Sequence, residues 1–161
     1  MEDTVIIYYS LDGNTDHVAR RIAEKTGAKL VRLETKRAYP RKGFKKFFIG
    51  GRDALFGAQP ELKYPLPDLA PFGNIVIGTP VWASRPAPAI NTFLRRAKPD
   101  GKRIALFACS GGGQAKTCLN KMESLLAGNE ILCRASFISP AFKSGKAVDD
   151  AIDEIVSALS G

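Results

Sequence analysis

The sequence predicts an α/β protein, a three-layer, doubly wound parallel sheet of five strands in the order 2-1-3-4-5. Five short apolar runs alternate with segments of helical period, the pattern of βα units that puts helices on both faces of a parallel sheet. The first, third and fourth runs are nearly all apolar, as strands covered on both sides are. The second and fifth carry charges, which suits sheet edges. The order 2-1-3-4-5 satisfies that placement, whereas a six-strand dinucleotide-binding order needs one strand more than the chain offers.

The first strand is read at residues 4–9, and the helix after it, 16–25, aligns Val18, Ala19, Ile22 and Ala23 before stopping at Gly27. The second strand, 28–34, is interrupted by Lys29, Arg32 and Glu34. Residues 35–73 form the longest irregular connection. Within it, 44–56 has an amphipathic helical pattern that Gly50 and Gly51 should break or kink, and 60–71, with four prolines, reads as an extended crossing. The third strand, 74–79, leads through a proline-rich turn to a helix carrying Ile90, Phe93, Leu94 and Ala97. The fourth strand is 103–109, and its helix turns Cys118, Leu119, Met122, Leu125 and Leu126 inward. The last strand, 130–138, precedes a closing helix with Val148, Ile152, Ile155, Val156 and Leu159.

At 161 residues the chain is expected to form one domain, 1–161, with room for a substantial core. Its 45% apolar and 25% charged residues are ordinary for a globular protein. No apolar run approaches the roughly 18 residues a membrane span needs, so membrane insertion is not expected. The segment MEDTV lacks the basic start of a secretory signal, and a cytoplasmic location is expected. Three cysteines without close pairing and a single histidine, His17, argue against a metal site. His17 itself is expected to be exposed.

In such a sheet, ligands bind beyond the carboxyl ends of the central strands, near the point where the order reverses. Three loops lie there, and they are the most distinctive segments of the chain. The first is Ser10, Leu11, Asp12, Gly13, Asn14 and Thr15. It combines hydroxyls, a glycine for tight curvature, and a following helix whose free N–H groups favour an anion. It contains no lysine or arginine, and it is neither G-x-G-x-x-G nor a Walker loop. The alternative is an ordinary βα turn capped by Asn14 or Thr15. The second loop, with Pro80, Val81, Trp82 and Ala83, holds the only tryptophan, which can stack on a flat ring or pack on its own helix. The third, Ser110, Gly111, Gly112 and Gly113, lets backbone approach a ligand closely. Residues 110–117 fail the Walker pattern at Ser110 and Ala115, and Cys109 does not begin a C-x5-R loop because Ala115 stands in the arginine's place.

These residues resemble the flavodoxin family. Ser10, Gly13, Asn14 and Thr15 match its [ST]-x-[TS]-G-N-T loop, and Ile77-Gly78-Thr79-Pro80-Val81-Trp82 is similar to the third strand and flavin loop of a flavodoxin-like subgroup. The resemblance covers essentially the whole domain. It implies the flavodoxin-like fold and FMN as cofactor, its phosphate in the first loop and its isoalloxazine between the second and third. The chain departs from the pattern in three places. Asp12 replaces the third hydroxyl, whose position next to a phosphate requires the carboxylate to point outward. Ala83 and Ser84 follow Trp82 where typical flavodoxins place a glycine. No second stacking aromatic follows the fourth strand.

Most flavodoxins are acidic, whereas this chain carries +8. Much of that lies in the segment 36–52 (KRAYPRKGFKKFFIGGR), where Lys36, Arg37, Arg41, Lys42, Lys45, Lys46 and Arg52 alternate with Tyr39, Phe44, Phe47 and Phe48. Two readings fit: a docking site for an acidic redox partner, or a solvated helix face with its phenylalanines in the core. Nucleic acid is the less favoured partner. Three functions remain open: an electron carrier working through FMN, an FMN-dependent NAD(P)H:quinone-type oxidoreductase, and a flavin-free module binding through residues 36–52. A one-sided, open flavin and the missing glycine favour two-electron chemistry with NAD(P)H or a quinone, while the phosphate loop favours neither redox role.

Overall fold

The computed structural model describes residues 3–143 and 145–161. The elements run β1 (Thr4–Tyr8), α1 (Asn14–Thr26), β2 (Lys29–Arg32), α2 (Phe44–Leu55), β3 (Asn74–Trp82), β4 (Arg85–Pro86), α3 (Pro88–Ala97), β5 (Arg103–Ser110), α4 (Ala115–Ser124), β6 (Glu130–Ile138) and α5 (Lys146–Ser160). The sheet order is β2-β1-β3-β5-β6, all parallel, with β4 hydrogen-bonded antiparallel to the end of β3. With β4 set aside, this is the expected 2-1-3-4-5 order, and the two charged strands are the edges.

Alternation along the strands divides the core in two. Val5, Ile7, Ile75, Ile77, Ile104 and Leu106 face α3 and α4, where Ile90, Phe93, Leu94, Cys118, Leu119 and Met122 meet them. Ile6, Tyr8, Val76, Ala105 and Phe107 face α1 and α5, against Val18, Ile22, Ile152 and Ile155. The edge strand β6 shows the reason for its charge: Arg134 leaves the core and pairs with Glu123 at 2.8 Å.

Two expectations change. The third strand does not stop at Thr79 but continues to Trp82, because the two-residue β4 folds back and pairs Val81 with Pro86 and Trp82 with Arg85. The glycine pair does not break α2, which is continuous over twelve residues. Gly50 instead lets the helix backbone close on Trp82, to whose ring a Cβ would come within 3.1 Å.

The tyrosines ending β1 couple stability to alkaline pH. Burial, then the Asp16 hydrogen bond and charge, pushes the Tyr8 hydroxyl up to about 12. Burial, partly offset by Arg32 and Arg41, pushes Tyr9 up to about 12. A folded value raised above the unfolded one, near 10, means the neutral phenols stabilise the fold fully below about pH 10 and lose that contribution as the pH rises through 12. The thermal midpoint should therefore fall between pH 10 and 12, and fall less in a Tyr8→Phe/Tyr9→Phe variant. Circular dichroism melts at both ends of this window check it; an identical fall in the variant contradicts it.

Candidate functional site

The structure brings the three loops to the carboxyl edge of the sheet. Two residues past β1 stands Ser10, whose Oγ accepts a hydrogen bond from the Gly13 N–H at 3.2 Å. Gly13 has φ 97° and caps α1 without a side-chain bond, so neither Asn14 nor Thr15 is the N-cap, and both lie inside the first turn. Asn14 is held from outside, its Oδ1 accepting the Ala141 N–H at 3.0 Å. Leu11 packs into the core margin. Thr15 is 1% exposed, and its Oγ1 has no hydrogen-bond partner among the described residues. The Cys109 thiol lies against it, and burial, partly offset by the Thr15 hydroxyl, pushes that thiol up to about 12, leaving it neutral and no nucleophile.

Asp12 is half exposed, its carboxylate paired with Lys46 of α2 at 3.3 Å. The loop, without basic residues of its own, is thus reached by two from elsewhere in the chain: Lys46, and Arg32 of β2, which donates to the Ser10 carbonyl at 2.9 Å. Arg32 also approaches Asp16, at 3.7 Å. Burial alone raises the Asp16 carboxyl, but hydrogen bonds from Arg20 and Tyr8, with the Arg20 and Arg32 charges, outweigh it and hold the group below its usual value. No signal in the sequence linked Arg32 or Lys46 to the loop.

In the second loop, Pro80, Val81 and Trp82 belong to β3, and the turn itself is Ala83–Ser84. Both turn residues have positive φ, 48° and 61°, the two-residue hairpin geometry usually filled by Asn-Gly. Its base is fixed by Thr79, whose Oγ1 accepts the Ala87 N–H at 2.9 Å and donates to the Pro80 carbonyl. Trp82 is half-buried at the margin of the core. It meets Tyr9 and Tyr39 edge to face, with ring centres 5.7 and 5.2 Å away, and rests against Gly50 of α2. Beside it opens a cleft of about 280 Å³ lined by Lys46, Phe47, Gly51, Val81, Trp82 and Ala83.

The third loop repeats the device of the first: Ser110 Oγ accepts the Gly113 N–H at 3.2 Å. Gly111, Gly112 and Gly113 are exposed, with open space where side chains would be. Gln114, at φ 64°, accepts a hydrogen bond from the Ser84 hydroxyl, tying the third loop to the second. Sequence reasoning missed this joint, as it missed the state of His17, which is half-buried with Nε2 unpartnered among the described residues instead of exposed.

Three loops meeting at the reversal point of a 2-1-3-5-6 sheet define a doubly wound α/β protein of the flavodoxin-like order. The family model for flavodoxin matches residues 3–136. The chain belongs to the flavodoxin family.

Among solved structures, it is similar to a Lactobacillus acidophilus flavoprotein in complex with FMN, with 26% identity, a TM-score of 0.74, and coverage of 91% of this chain and 100% of that one. Two others share the fold. A candidate flavoprotein of Bacteroides uniformis has 21% identity, a TM-score of 0.77, and coverage of 96% and 97%. Two-electron reduced Megasphaera elsdenii flavodoxin has 20% identity, a TM-score of 0.62, and coverage of 96% of both chains. No curated protein matches the sequence.

Proposed function

We propose that this chain binds FMN and passes electrons through it. The observation that carries the reading is Thr15: a buried hydroxyl with no partner among the described residues, at the N-terminus of α1, beneath a loop whose own donors are neutral. A phosphate oxygen supplies the acceptor that this hydroxyl lacks, and Ser10, Gly13 and Asn14 complete the cradle. The charge of Asp12 is offset by Lys46, which pairs with its carboxylate. The isoalloxazine belongs between Pro80–Ala83 and Ser110–Gly113, with Trp82 as its wall. Bound flavin supplies one- or two-electron redox chemistry. The chain's own residues orient it, exclude water from one face and set the charge around it.

A visible absorption spectrum of the purified protein, followed by FMN titration of the apoprotein, tests this reading. A colourless protein that binds no added FMN would leave only the flavin-free module. Trp82→Ala should weaken FMN by about 1–3 kcal/mol, as loss of one aromatic stacking partner does. An unchanged dissociation constant would remove Trp82 from the site.

One observation favours the second reading, an NAD(P)H:quinone-type oxidoreductase. A cavity of about 430 Å³ lies behind Tyr39, lined by Arg37, Tyr39, Ile49, Arg52 and Asp53, and its two arginines suit an anionic nucleotide. Reductive titration separates the two: an accumulating one-electron-reduced flavin supports the carrier, and rapid NAD(P)H oxidation with a quinone supports the enzyme. We place the protein in the cytoplasm, in keeping with three free cysteines and none in a disulfide. Among the described residues no helix is long and apolar enough to cross a membrane.

A further inference from the structure

Helix α2 is built inside out. Its buried positions are Gly50 and Ala54, while Phe44, Phe47 and Phe48 are 80%, 73% and 61% exposed. Phe44 and Phe48, one turn apart, stack with ring centres 6.1 Å from each other, and Leu55 and Phe56 extend the apolar stripe. Exposed cations border it: Arg41 and Lys42 ahead of the helix, Lys45 and Arg52 along one side. Both carboxylates nearby are already engaged, Asp12 by Lys46 and Asp53 by Tyr39 and Arg52. The core reading of these phenylalanines is therefore overturned. An apolar patch of this kind with a charged border marks an interaction surface.

We propose that the exposed face of α2 is the docking surface for an acidic redox protein that exchanges electrons with the flavin. The proposal rests on the FMN reading above. The partner is oxidised as the flavin is reduced, or the reverse, and no group is transferred.

Charge and position select this occupant. A second copy of the chain, meeting across a two-fold axis, would set Arg41, Lys42, Lys45 and Arg52 against their own counterparts, a like-charge arrangement that disfavours pairing. An anionic bilayer attracts a helix whose cations border the apolar face on both sides. Here Lys45 and Arg52 lie on one flank; on the other, Phe47 lines the cleft with Trp82 and Ala83, and Lys46 beside it is paired with Asp12. A protein bound to the phenylalanines and drawn by the cations comes to rest at the mouth of that cleft, within reach of the ring that Trp82 walls. Aromatic anchors inside a charged border are the usual form of such contacts.

The test uses the FMN-loaded full chain and two probes, a reduced acidic [2Fe–2S] ferredoxin and a reduced acidic flavodoxin, followed by stopped-flow flavin absorbance. The variants are Phe44→Ser/Phe48→Ser and Lys42→Glu/Lys45→Glu, all at exposed positions. The control, Lys29→Glu, reverses one charge at the opposite end of the sheet. FMN affinity is measured separately for every variant, so that loss of the flavin and loss of docking are told apart. The expected result is a fall of about tenfold or more in the second-order rate for at least one probe in both α2 variants. FMN affinity stays unchanged, the control changes little, and the wild-type rate drops steeply with added salt. Equal rates in wild type and α2 variants with both probes would overturn the proposal. So would a wild-type dimer in sedimentation that Phe44→Ser/Phe48→Ser converts to monomer, or phosphatidylglycerol vesicle binding lost in the same variant.

Discussion

Gly78→Ala is expected to destabilise the protein by about 3 kcal/mol, the upper end of what overpacking a close-packed core costs. Gly78 sits in β3 between β1 and β5, and a Cβ there would fall 2.1, 2.4 and 2.7 Å from three ring atoms of Phe107. Phe107 is wholly buried and meets Phe137 edge to face at 6.0 Å, so its ring has no free direction in which to retreat. Denaturant unfolding measures the loss, and Phe107→Leu in the Gly78→Ala background should restore part of it. A Gly78→Ala protein within about 0.5 kcal/mol of wild type would show that the ring yields easily. The same substitution acts on function, because β3 runs four residues further to Trp82.

Thr15→Val should separate stability from affinity in opposite directions. Without ligand, the variant exchanges a buried, unpartnered hydroxyl for a methyl of the same shape, which is neutral or stabilising by up to about 1 kcal/mol. With FMN, it removes a hydrogen bond to a charged phosphate, worth about 1.5–3 kcal/mol, or about 10- to 150-fold in the dissociation constant. Flavin fluorescence titration and unfolding of the apoprotein measure the two arms. Equal affinity in the Thr15→Val variant and the wild-type protein would mean that the phosphate does not reach this hydroxyl.

The sheet order was legible because burial on two faces leaves a plain signature: Val5 to Tyr8, Ile75 to Ile77 and Ile104 to Phe107 carry no charge, while Lys29, Arg32 and Arg134 mark the edges. The family motif was legible for a related reason. Gly78 is a glycine because Phe107 occupies the place of its side chain. The hairpin tip was hidden, since Pro80 reads as the end of a strand and a two-residue partner, Arg85–Pro86, is too short to leave a period. In α2 the helical period was visible but its direction was not. The informative residues were the small ones, Gly50 and Ala54, which mark where a helix backbone comes close to a large ring. The loop's cations, Arg32 and Lys46, belong to distant segments, and a pairing of that kind leaves no local trace.

The hydrogen bond from the Ala141 N–H to Asn14 joins residues 127 positions apart. The candidate site therefore draws on nearly the whole length of the chain. During synthesis the first loop emerges early, yet its partners near 80, 110 and 141 follow over nearly the whole length of the chain, and each closes a larger loop at a higher entropic cost. A ligand that touches all three loops would need most of the sheet in place, and a chain cut short after β5 would lack the Ala141 contact to Asn14.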